Sequence, residues 1–191
     1  LIGARLGNFL DKPLSPLVKK INVNPNTLTL AGFALTTLAA LVIARHLLLG
    51  GILVLLGGVL DMLDGIVART NGKVTEFGAF LDSVLDRYAD AFLFLGLAWY
   101  LASKGDHAGA FLSLATLIGA YLVSYTRARA EGLGRECKTG IMERPERIVL
   151  LAFGAISGWI TPVLWVMFVL THLTVFQRIY HVRKSMSSPL E

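Results

Sequence analysis

The chain has 191 residues, 54% of them hydrophobic, with sparse charge, a formal net charge of +5 and a single cysteine. Its apolar residues fall in long blocks, which marks a membrane protein and leaves no soluble basic domain for nucleic-acid binding. Lone Cys137 excludes an internal disulfide, and between Arg135 and Lys138 it carries no catalytic signature.

Residues 1–20 lack the continuous apolar core of a cleavable signal peptide and carry Arg5, Lys12, Lys19 and Lys20. Leu6, Leu10, Leu14, Val18 and Ile21 recur at about helical spacing, which predicts an amphipathic segment lying on the bilayer surface, bent by Pro13 and Pro16. A floppy basic terminus explains the same composition. Six apolar stretches then approach the ~20 residues needed to cross the hydrocarbon core. They predict spans over about 27–45, 48–69, 77–102, 108–127, 145–160 and 162–182, the fifth short unless Arg144 to Arg147 form its first turn. The expected architecture is all-α and polytopic: one domain over 1–184, with an interfacial segment 1–22, a six-helix bundle 27–182, and a tail 185–191 that reads as a vector remnant.

Lys and Arg gather in the N-terminal segment, around Arg69 and Lys73, from Arg127 to Arg147, and at Arg178, Arg183 and Lys184, whereas the opposite loops hold little beyond Arg45 and Lys104. The positive-inside rule places both termini and the 70–76 and 128–144 loops in the cytoplasm of a cell-membrane protein.

Four aspartates then define a site. Asp61-Met-Leu-Asp64-Gly65-Ile-Val-Ala68-Arg69 is followed, after eight residues, by Gly78-Ala-Phe-Leu-Asp82-Ser-Val-Leu-Asp86. Spacings of i,i+3 and i,i+4 put each pair on one helix face. Ionisable groups in apolar spans are costly and belong to sites, and four carboxylates repel one another unless a cation holds them. The 70–76 loop is expected to return the second and third spans side by side, so that the acids converge near the cytoplasmic surface. Hard oxygen donors suit Mg²⁺ or Mn²⁺, and two ions would balance four acids and clamp a displacement at phosphorus. Gly65 and Gly78, with Ala68 compatible, leave room for a bulky ligand. Asp90, one turn further along, is expected to find a hydrogen-bonded partner or a water-filled pocket, Arg87 lying on another face. His46, His107, His172 and His181 lack ligand spacing. Gly154-x-x-x-Gly158 would let two spans, or two protomers of a homodimer, approach closely.

The string Asp61-x-x-Asp64-Gly65-x-x-Ala68-Arg69-x8-Gly78-x-x-x-Asp82-x-x-x-Asp86 resembles, without a departure, the signature of the CDP-alcohol phosphotransferase family of membrane enzymes. The resemblance implies that an alcohol hydroxyl attacks the β-phosphorus of a CDP-linked lipid, CDP-diacylglycerol or CDP-archaeol, and that CMP leaves. It implies Asp61, Asp64 and Asp82 as metal ligands, with Asp86 contacting a second ion and accepting the hydroxyl proton. Arg69 would meet phosphate charge. Gly65, Thr75 and the Asn24-Pro25-Asn26-Thr27 stretch would line the CDP-lipid site beside Ala68 and Gly78, although Asn26 or Thr27 as a helix cap and Pro25 in the first turn explain that stretch equally.

Arg127, Arg144 and Arg147 stand near the cytoplasmic ends of the fourth and fifth spans, and Pro145 suits a first helical turn. Several guanidinium groups beside a helix N-terminus favour a dianionic phosphate, and Arg178 and Arg183 are expected to complete the cluster. Positive-inside anchoring explains any one of them, but not the interleaved Glu143 and Glu146. The Ser124-Tyr-Thr-Arg127-Ala-Arg129-Ala-Glu131 and Glu143-Arg144-Pro145-Glu146-Arg147 strings are similar to the branch of the family whose acceptor is inositol phosphate, where the position of Arg127 is often lysine. Glycerol phosphate and serine are the alternative acceptors. A divalent-cation channel or transporter is the alternative from another class, opposed by the gathering of the acids at one end of their spans. A catalytically silent lipid-binding scaffold would not need all four acids.

Overall fold

Asn24 opens the first helix: its backbone is extended, its side chain accepts the Asn26 backbone N–H at 3.1 Å, and Pro25 takes the first helical position, where a missing N–H costs nothing. The cap is therefore Asn24, upstream of the expected Asn26 or Thr27, because the fixed φ of Pro25 already belongs to the helix. A computed structural model describes residues 24–186, so the expected interfacial segment and residues 187–191 lie outside the described residues. Six helices run through the rest: α1 Pro25–Ile43, α2 Leu47–Thr70, α3 Glu76–Ser103, α4 His107–Glu131, α5 Arg144–Ser157 and α6 Ile160–Met186.

The expected spans match these helices to within a few residues. The largest differences are at C-termini, where α4 continues to Glu131 and α6 to Met186. In α4 the extra turn carries an i,i+4 pair between Arg127 and Glu131. Four helices, α1, α2, α4 and α6, are long and apolar enough to cross a membrane. The other two differ for physical reasons. α3 has the length but carries Asp82, Asp86, Arg87 and Asp90 along it, and α5, with 14 residues, reaches only roughly 21 Å. Arg144 to Arg147 do form its first turn.

Four of the connections between successive helices have two to five residues, and the fifth, 132–143, has twelve. The principal packing pairs are α1 with α2 and α3, α3 with α4, α4 with α6, α6 with α5, and α5 with α2, which closes a ring. α2 and α3 both lean on α1 and do not form a principal pair. This corrects the expectation that their short loop sets them side by side: their acidic faces meet at the end of the bundle, with the first residue of α5 reaching in between.

The apolar core occupies the opposite half, where Ile43, Val54, Leu97, Leu112, Leu151 and Leu164 come one from each helix. Close approach there requires glycine. A Cβ on Gly96 would lie 2.3 Å from the Ala40 carbonyl oxygen, so α3 meets α1 at backbone distance. Gly154 faces Val163 and Ile160 within the same chain, and Gly158 is the left-handed C-cap of α5 at φ 77°, so that pair of glycines joins α5 to α6. Large apolar side chains such as Leu41, Trp99, Phe111 and Phe176 point outward, as they do in a bundle solvated by lipid.

Candidate metal and phosphate site

The three carboxylates Asp61, Asp82 and Asp86 each place an oxygen within 4.8 Å of the others. Asp61 comes from the second half of α2, while Asp82 and Asp86 come from the second and third turns of α3, which Thr75 starts by accepting the Gly78 N–H at 3.0 Å. Asp64, one turn on from Asp61, is buried, repelled by Asp61 and Asp82, and its Oδ2 has no hydrogen-bond partner among the described residues. The spacing predicts four acids in one cluster; three share the tight trio and Asp64 borders it. Hard oxygen donors this close, with an orphaned carboxylate oxygen beside them, fit a divalent cation of the Mg²⁺ or Mn²⁺ kind.

One arginine reaches into the trio. Arg144, the first residue of α5, has its Nη1 2.5 Å from Asp61 Oδ2 and 2.7 Å from Asp86 Oδ1, and its Nε 3.8 Å from Asp90 Oδ1. The sequence assigns Arg144 to an anion pocket; the structure pairs it with the acids as well, because the α5 N-terminus points straight at them. Arg147, one turn later, donates to Asp90 Oδ2 at 2.6 Å, and both side chains are almost fully buried. Asp90 thus has the hydrogen-bonded partner that its depth requires.

Arg178 is 2% exposed and spends its donors on the protein: Nε donates to Thr139 O at 2.7 Å, Nη1 donates to Val123 O, and Nη2 lies 3.4 Å from Glu143 Oε1. It ties α6 to the end of α4 and to the 132–143 loop, where Gly140, at φ 144°, fits against Thr174. Arg183 does not join the cluster. Five residues turn a helix by roughly 500°, which points Arg183 about 140° away from Arg178. It is absent from the lining of the cavity beside the acids and lines a second groove with Arg129, whose wall Tyr125 and Arg178 share with that cavity.

Beside the acids lies a cavity of about 1020 Å³ bordered by Asp86, Arg127, Arg144, Arg147 and Arg178. Arg127 is half-exposed and donates to Glu131 Oε1 at 2.9 Å, a surface pair that a competing anion displaces at small cost. Ser83, Arg87 and Ser124 also border the cavity. Arg87, 3.4 Å from Asp86 Oδ2, is a cation to which the sequence pattern assigns no role. Its signal is an arginine directly following an aspartate inside an apolar span.

On the other side of the trio, Asn26 reaches toward Gly78, where an added Cβ would lie 3.1 Å from Asn26 Oδ1 and 2.8 Å from Thr75 Oγ1. The α1 and α3 N-termini therefore stand together. Arg69 folds back along α2, its Nη1 3.1 Å from where a Gly65 Cβ would be. Ala68 lies two turns from Asp61 on the same face, and Thr27 and Thr75 are exposed beside Asn24 at this end.

Fold and site together define a helical membrane protein with a divalent-cation site of carboxylates joined to an arginine-lined cavity at one end of its bundle. A family-wide sequence model described as CDP-alcohol phosphatidyltransferase matches residues 22–180, and the chain belongs to that family. It is 38% identical over 186 residues to the phosphatidylinositol phosphate synthase of Mycobacteroides abscessus, covering 92% of this chain and 84% of that one. It is 37% identical over 180 residues to the archaetidylinositol phosphate synthase of Pyrococcus horikoshii, covering 92% and 93%. Among solved structures it is similar to Mycobacterium tuberculosis phosphatidylinositol phosphate synthase with CDP-DAG bound, with a TM-score of 0.79 and 30% identity over 90% of this chain and 92% of that one. The same enzyme in complex with manganese and citrate also gives a TM-score of 0.79 at 30% identity, over 90% and 88%.

Proposed function

We propose that this enzyme transfers the phosphatidyl or archaetidyl group of a CDP-linked lipid to inositol phosphate, releasing CMP. The observation that carries the reading is that Asp86 and a set of arginines border one cavity, so a proton acceptor and a phosphate-binding wall face the same volume. The names of the relatives from Mycobacteroides abscessus and Pyrococcus horikoshii support the same acceptor. A free polyol or serine would bring no phosphate to the arginine-lined wall.

The reaction follows from what each group can do. Arg127, Arg144 and Arg147 hold the acceptor's phosphate, which aims a ring hydroxyl toward Asp86. Asp86 takes the proton as the hydroxyl oxygen forms its bond to the β-phosphorus. The bond from that phosphorus to the CMP oxygen breaks, and CMP leaves with the electron pair. In this reading Asn24, Pro25, Asn26 and Thr27, with Thr75 and Gly78, would border the nucleotide, and Gly65, Ala68 and Arg69 the diphosphate, which the nearness of Asn26 and Thr75 to Gly78 and of Arg69 to Gly65 supports. Asp61, Asp64, Asp82 and Asp86 would hold the divalent ions, which when bound would supply positive charge against the diphosphate and acidify the hydroxyl.

All six helices cross the membrane in this reading, with the site at the cytoplasmic face. The recessed start of α5, whose first residue already sits among the acids, opens the bundle on that side. An ion path is opposed by the apolar core that fills the far half of the ring. The test is CMP release by the purified protein from CDP-diacylglycerol or CDP-archaeol, offered inositol phosphate, glycerol phosphate, serine or inositol in turn. Release with inositol phosphate, lost on chelation and restored by Mg²⁺ or Mn²⁺, is expected. Release with serine or free inositol alone would overturn the acceptor assignment.

A further inference from the structure

Arg144 faces two ways. Its Nη1 bonds Asp61 and Asp86, two of the three acids whose oxygens converge, and its side chain also borders the arginine-lined cavity. The first role excludes a cation from the same place. A carboxylate lone pair spent on a guanidinium N–H is not available to a metal ion, and a full positive charge beside two of the ligands repels an incoming dication. The buried Nε of Arg144 has no hydrogen-bond partner among the described residues, a feature it shares with Arg147, so what separates the two arginines is the carboxylates they bond. Arg147 differs: its partner is Asp90, which lies outside the trio, so metal binding leaves it in place.

Resting on the function proposed for this cavity, we propose that Arg144 is an exchangeable counter-cation. It neutralises the acids until a divalent ion takes over their oxygens, and the displaced guanidinium then turns into the cavity to bind the acceptor's phosphate. Metal and acceptor are thereby coupled, each tightening the other by the same factor. The arrangement orders the site, because the acceptor's phosphate gains its third arginine only after the metal has loaded.

Mn²⁺ binding to the full chain in detergent, read from the loss of the free-ion electron paramagnetic resonance signal, tests this without turnover. Sulfate serves as a phosphate mimic that complexes Mn²⁺ weakly. R144Q should bind Mn²⁺ about five- to fifty-fold more tightly than the unaltered chain. Sulfate should tighten Mn²⁺ binding to the unaltered chain and have no such effect on R144Q. Unchanged or weaker Mn²⁺ binding in a folded R144Q, or equal sulfate effects on both, would overturn the proposal. Should R144Q fail to fold, the sulfate effect on the unaltered chain decides, and its absence counts against the exchange. A chain that binds Mn²⁺ and releases CMP yet behaves this way sinks only the role of Arg144; one that does neither sinks the functional reading with it.

Discussion

Arg147 Nη2 lies 2.6 Å from Asp90 Oδ2, with the two side chains 2% and 5% exposed, so α5 and α3 are joined by a buried ion pair at the wall of the cavity. Each charge is tolerable only because of the other. Removing one partner should therefore cost more than removing both. D90A is expected to destabilise the protein by ~3–5 kcal/mol, since it strands the buried Arg147, whereas D90L combined with R147M should recover most of that loss. Thermal unfolding in detergent, run as a double-mutant cycle, measures the difference.

Asp86 has a different dependence. It belongs to the acid trio and borders the cavity, so its carboxylate serves ion binding and proton transfer together. D86N keeps the shape and removes the base and one charged ligand. CMP release is expected to fall by about 10²–10⁴-fold or more, while the unfolding temperature stays the same or rises as repulsion within the trio is relieved. Single-turnover CMP release with saturating CDP-lipid and acceptor checks this; full activity in D86N would remove Asp86 from the proton-transfer role.

The acids were legible because carboxylates repeated at helical spacing inside apolar stretches are too costly to persist without a bound cation, and the helices were legible because lipid-facing sequence is apolar over long runs. Partner choice was not. That Asp90 needed a partner could be read from its depth, but that the partner is Arg147, 57 positions away, depends on the ring order of the helices. The same order takes α2 and α3 off a shared principal interface, which a five-residue loop between them does not reveal. Arginine function was the least legible of all. Positive-inside charge, phosphate binding and structural tethering use the same residue, and only packing separates Arg127 at a surface pair, Arg144 among acids and Arg178 on carbonyl groups.

Arg178 and Arg183 make a paired test of that distinction. Arg178 bonds Thr139 O, Val123 O and Glu143, so it holds the 132–143 loop against the cavity wall. R178K cannot span those acceptors with one ammonium and is expected to lose ~2–4 kcal/mol, to expose the loop to limited proteolysis, and to raise the KM for the acceptor more than that for the CDP-lipid. R183A, on the other side of α6, should leave the acceptor KM within about twofold of the original, as surface substitutions commonly do. A strong acceptor defect in R183A would place that guanidinium in the site after all.

The last test concerns the ring itself. Gly96 lets α3 touch the α1 backbone at Ala40, and a methyl group there would begin 2.3 Å from a carbonyl oxygen, which cannot give way as a flexible side chain can. G96A must therefore push α3 off α1. Asp82 and Asp86 ride on α3, and their distance to Asp61 on α2 is set through the α1 contact that both helices share. G96A should accordingly cost ~1–3 kcal/mol of stability and also weaken Mn²⁺ binding, although the substitution lies in the half of the bundle away from the acids. A second glycine change, G58A, meets the Ile148 Cγ2 methyl at 2.9 Å, a side-chain contact to α5 and not to the α1 backbone, so its Mn²⁺ affinity should stay closer to that of the unaltered chain than that of G96A. Equal losses of Mn²⁺ affinity in both variants would mean that the acid trio is placed by something other than the shared contact with α1.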